Sequence, residues 1–63
     1  MDKSEFMEWA QAVVMHNEAT KDANLAFLKE VETHDKQAAA LARKTVNAST
    51  ELADHLRKVI AKG

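Results

Sequence analysis

Steps of three and four residues connect Phe6, Ala10, Val13, Asn17, Thr20, Asn24, Phe27 and Val31. That is a near-heptad stripe with a polar middle, the period of one helical face. A second stripe runs Ala38, Leu41, Thr45, Ala48, Leu52, Leu56 and Val59, widened by Ala42, Val46 and Ile60. No stretch alternates polar and apolar residues as a half-buried strand does, so the pattern predicts an all-α chain. Between the stripes lies Glu32-Thr33-His34-Asp35-Lys36, polar and of middling helix propensity, in which Thr33 or Asp35 can each cap a new helix. The spacing predicts helices over about 2–32 and 36–62 around a turn at 33–35. Together they make one antiparallel helical hairpin spanning residues 1–63.

The absence of Gly or Pro at that turn leaves a competitor, a single continuous helix in a long coiled coil. A third arrangement breaks the chain at 17–24, where large apolar residues vanish, and gives three helices. The ends fit the hairpin. Asp2 followed by Glu5 resembles a capping box, and Asp2, Glu5 and Glu8 lie near the positive end of the first helix dipole. Arg57, Lys58 and Lys62 complement the negative end of the second helix, and Gly63 suits the position after its last turn.

Size changes the picture more than composition does. A chain of 63 residues is one domain at most. A monomer of that size buries only about 60% of the surface its unfolded chain exposes. Such domains need a staple, and with no Cys neither disulfides nor thiolate zinc sites can supply it. Oligomerisation remains, a homodimer first, with two hairpins forming a four-helix bundle. No basic n-region leads into an apolar run at the start, and no apolar run approaches the roughly 18 residues of a membrane span. The expectation is a soluble, cytoplasmic protein without a membrane partner.

Charge is divided between the halves. Residues 1–35 hold three Lys against eight Asp or Glu, a balance of −5; residues 36–63 hold six Lys or Arg against two acids, a balance of +4. An acidic helix meets a basic one either within a chain or between chains. Exposed pairs contribute under about 1 kcal/mol each, so they steer pairing more than they drive it. The second stripe is rich in small residues (Ala38, Ala42, Thr45, Ala48, Ser49), which allow close helix approach but bury little area. The bulky residues of the first helix must fill the remaining space.

Candidate chemistry is sparse. Glu30 with His34, and Glu51 with His55, stand four apart on one helical face, but neither matches H-E-x-x-H or the Glu-x-x-His of di-iron bundles. They read as surface pairs; no metal, cofactor or catalytic group is expected, and the chain is taken as non-enzymatic. Arg43, Lys44, Arg57 and Lys58 form the only basic surface, without aromatic interleaving or helix-turn-helix spacing, so nucleic acid is a minor alternative partner. Asn17, Thr20 and Asn24 either bury an amide that fixes register or turn that part of the face to solvent; the second reading is preferred. Trp9 reads as a bundle core residue first and as a binding anchor second. The contact surface for a second copy or a protein partner is expected on Phe6, Trp9, Val13, Phe27, Val31, Leu41, Leu52 and Leu56.

The opening Met1-Asp2-Lys3-Ser4-Glu5-Phe6-Met7-Glu8-Trp9, the lack of Cys, Pro and internal Gly, and the two stripes split at Thr33-His34-Asp35 resemble a known group. It is the small helical early-region proteins of lambdoid bacteriophages, encoded between the exonuclease and excisionase genes. The likeness covers the whole chain but rests on size and pattern. It implies a dimerising helical hairpin made early in infection, acting by contact on host or phage proteins, and it carries over no functional residue. A structural oligomerisation unit is the alternative role.

Overall fold

The computed structural model describes residues 1–63 as two helices, α1 (Lys3–His34) and α2 (Lys36–Lys62), folded back on each other. α1 starts where Asp2, in extended backbone conformation, turns its carboxylate onto the first turn. The Glu5 N–H donates to Asp2 Oδ1 at 2.8 Å, and the Phe6 N–H donates to the Asp2 carbonyl at 3.0 Å. One of the first-turn donors that a helix leaves unpaired is thereby satisfied by the cap side chain. At the other end, Gly63 adopts φ +62°, and its N–H is shared between the Val59 and Ile60 carbonyls. Glycine takes that left-handed conformation at little cost.

A single residue makes the reversal. The Asp35 N–H donates to the Val31 carbonyl at 2.8 Å and completes α1, while its own carbonyl accepts from the Ala39 N–H at 3.1 Å. Its carboxylate accepts from the Ala38 N–H at 3.0 Å, so Asp35 closes one helix and caps the next. Its φ of −155° and ψ of 104° are ordinary extended backbone. No glycine is needed, which answers the objection raised by the Gly-free turn. α1 therefore runs beyond the expected limit at 32. The Thr33 hydroxyl donates to the Glu30 carbonyl at 2.7 Å and is spent inside α1, leaving Asp35 as the cap. The break at Asp35 excludes the continuous helix, and α1 passes unbroken through residues 17–24, which excludes three helices.

The hairpin measures 44 × 18 × 17 Å, one long helix by two helix widths. Six residues are buried between the helices: Ala10, Asn17 and Leu28 from α1, and Ala39, Ala53 and Leu56 from α2. Ala42, Val46 and Ile60 continue the α2 line at partial burial. These three are the widening set of the expected stripe, while Ala39 and Ala53 belonged to neither set; of the stripe itself Leu56 is buried, Ala38 and Val59 are half-buried, and Leu41, Thr45, Ala48 and Leu52 are exposed. The inward face is thus rotated by about one residue, roughly 100° of helix, from the stripe read in the sequence. Ala10, Ala39 and Ala53 are fully or almost fully buried, and small side chains of that kind allow helices to pack closely.

The polar middle of α1 also departs from the preferred reading. Asn17 is buried, Thr20 half-buried and Asn24 exposed, so only part of that face meets solvent. No side-chain nitrogen or oxygen is sealed from solvent without a hydrogen-bond partner.

A candidate contact face on the open side of the hairpin

Ion pairs define one side of the molecule. Arg43 donates to Glu32 at 2.7 Å and Arg57 donates to Glu18 at 3.2 Å, both from α2 to α1. Arg57 also holds Asp54 at 2.6 Å. Glu18 and Glu32 are about four turns apart along α1, as Arg43 and Arg57 are along α2, so both bridges lie on the same side. The complementary halves of the chain thus meet within one hairpin. Two shallow clefts flank these bridges. One of about 380 Å³ is lined by Gln11, Val14, Met15, Glu18, Arg57, Ile60 and Ala61, and one of about 360 Å³ by Lys29, Glu32, Thr33, Lys36 and Arg43.

The opposite side carries no ion pair and holds Trp9, Phe27, Leu41 and Leu52, four of the exposed large hydrophobic residues; Leu25 and Met15 are exposed on the ion-paired side. Trp9 and Phe27 stand about five turns apart, on one line of α1, with Val13, Thr20 and Val31 beside them. Leu41, Thr45 and Leu52 run down the matching edge of α2. Phe27 is 67% exposed, Leu41 56%, Trp9 44% and Leu52 42%. The Phe6 ring lies against Trp9 with centroids 6.0 Å apart and planes at 38°, so the aromatic pair is organised before anything covers it.

Two hydroxyls on this face are turned back: Thr20 donates to the His16 carbonyl at 2.8 Å and Thr45 to the Leu41 carbonyl at 3.4 Å. His16 and His34, each seven residues from an aromatic of the α1 line, and Asn24 are exposed on the same face, so it mixes apolar and polar side chains.

Of the eight residues expected to form the contact surface, Phe27, Leu41, Trp9 and Leu52 are exposed on this side. Phe6, Val13 and Val31 are half-buried along its inner border. Leu56 differs: it is 2% exposed, packed between α1 and α2, and has no surface left to offer a partner. Val59, half-buried at the open end, belongs with the face and was read only as a stripe residue. Its step of seven from Leu52 is the signal that places it there.

The remaining polar candidates do not converge. No three of the His, Asp and Glu side chains come together in a geometry that suits a metal ion. Arg43 and Arg57 are engaged by Glu32, Glu18 and Asp54, which leaves Lys44 and Lys58 of the basic set outside the bridges. No helix is long and apolar enough to cross a membrane. Compared with known proteins, the chain matches no family model, no curated protein and no solved structure.

Proposed function

We propose that this chain is a non-enzymatic helical interaction module that works as a homodimer through its open face. The observation that carries this reading is the exposure of Trp9, Phe27, Leu41 and Leu52 together on the side that no intrachain ion pair spans. Surface area supports it. The hairpin exposes 4950 Å², whereas a compact monomer of 7.0 kDa exposes about 4,000 Å². The excess approximates the roughly 800 Å² that each partner contributes to a standard interface. On this reading the protein acts by contact, as expected of the phage early-region proteins it resembles, and its dimer presents the outer surfaces to a host or phage partner.

Sedimentation equilibrium tests the reading. The expected result is a dimer at micromolar concentration and a helical monomer for Phe27→Asp. A native chain that stays monomeric at that concentration overturns it. The nucleic-acid alternative rests on Lys44 and Lys58 alone once Arg43 and Arg57 are paired, and a low-salt gel shift decides it.

A further inference from the structure

A second copy covers the open face in one of two ways that preserve two-fold symmetry. With the axis along the helices, both turns lie at the same end and α1 of each chain faces α2 of the other. With the axis across the helices, the turns lie at opposite ends and α1 faces α1. Both bury the same apolar residues, so the hydrophobic term does not choose between them.

The charges that edge the face do choose. On α1, helical spacing places Glu5, Glu8 and Glu30 along the outer edge of the open face, while Lys3, Lys21, Asp22 and Lys29 fall towards the ion-paired side. On α2 the corresponding edge carries Lys44 and Lys62, with Glu51 between them, while Lys58, four residues from Asp54, turns towards the ion-paired side. With α1 facing α1 at full overlap, the midpoint of α1 near residue 19 sits on the axis, and Glu8 comes opposite Glu30 of the second copy. With the turns together, the intrachain register fixes the levels. Arg43 is level with Glu32 and Arg57 with Glu18, so Glu30 comes level with Lys44 of the second copy, and Glu8 lies nearest Lys62.

Resting on the dimer reading, we infer that the occupant of the face is a second copy with its turn at the same end. The acidic edge of each α1 then runs along the basic edge of its neighbour's α2. Exposed charges contribute little net affinity, but they select between arrangements that are otherwise matched, because like charges set opposite one another are penalised.

The Cys-free chain accepts single spin labels, at the turn in Gln37→Cys and at the open end in Ala61→Cys, both at exposed positions. Pulsed dipolar spectroscopy on each full-length dimer reads the distance between copies. The inferred arrangement gives distances below about 30 Å, a few interhelical spacings, for both labels. In the α1-to-α1 arrangement at least one label gives a distance near the 44 Å length of the hairpin, whatever the stagger. A long distance from either label overturns the arrangement and leaves the dimer standing. No intermolecular dipolar signal from either label, with sedimentation showing monomer, overturns the dimer itself.

Discussion

Leu52 and Ala53 are neighbours in sequence and opposites in environment: Ala53 is fully buried between the helices, while Leu52 is 42% exposed on the open face. The smaller residue is inside because the two helices meet there closely, and the larger one points to where a second copy is expected.

That contrast gives the first prediction. Ala53→Leu inserts a branched side chain at a close crossing and costs about 1–3 kcal/mol, lowering the melting temperature of the hairpin. Leu52→Ala leaves the dilute-limit melt within about 0.5 kcal/mol of the parent and weakens self-association instead. Thermal melts followed by circular dichroism over a range of concentrations separate the two effects. Equal costs for both substitutions in the dilute limit would show that the inward face has been assigned to the wrong line.

Asp35 serves both helices, so its side chain is open to a clean test. Asp35→Ala removes the acceptor for the Ala38 N–H and costs about 1 kcal/mol, while Asp35→Asn, which keeps a side-chain oxygen, stays within a few tenths. For a domain of this size 1 kcal/mol corresponds to a melting shift of about 4–8 °C. An unchanged melt for Asp35→Ala would show that the cap is dispensable.

Arg57 donates to both Glu18 and Asp54 and is only partly exposed, whereas Arg43 makes one bridge. Arg43→Ala is expected to cost less than about 1 kcal/mol, the ordinary worth of an exposed pair. Arg57→Ala is expected to cost more, because it removes two bridges and a side chain only 39% exposed. Raising salt to about 1 M narrows the electrostatic part of that difference and leaves the packing part. Chemical denaturation in urea at two salt concentrations reads it.

Concentration dependence is the fourth expectation. A hairpin completed by a second copy melts at a temperature that rises with protein concentration, since association stabilises only the folded state by mass action. Phe27→Asp and Leu41→Asp are expected to abolish that rise while the dilute chain stays helical, because both side chains project from the hairpin. A native melt that does not move over a hundredfold range of concentration would contradict the dimer.

Helix content, the hairpin and the site of reversal were legible from spacing and from the polar run at residues 32–36. The rotation of α2 was not. Ala39, Ala42, Val46 and Ala53 form an apolar line beside that of Leu41 and Leu52, and periodicity weighs size as well as polarity. Which line turns inward depends on how closely α1 can approach, and that is a property of the pair. The burial of Asn17 was not legible either, because periodicity alone does not say which polar position of a stripe turns inward. Phe27, Trp9 and Leu41, read as contact residues, are exposed on the hairpin, whereas Leu56 is buried between its helices because it falls on the inward line of α2.

One extended residue separates the two helices, and a change in the dihedral angles of Asp35 towards helical values would join them into a rod about 90 Å long. A rod exposes both apolar lines of α2 along its length, so it survives only if another chain covers what α1 covered. Two straightened chains can trade second helices and rebuild every intrachain contact between them. The burial of Ala39, Ala53 and Leu56 against α1 opposes that exchange in the single chain, and the Asp35 cap adds about 1 kcal/mol at the one residue where the two pairings part.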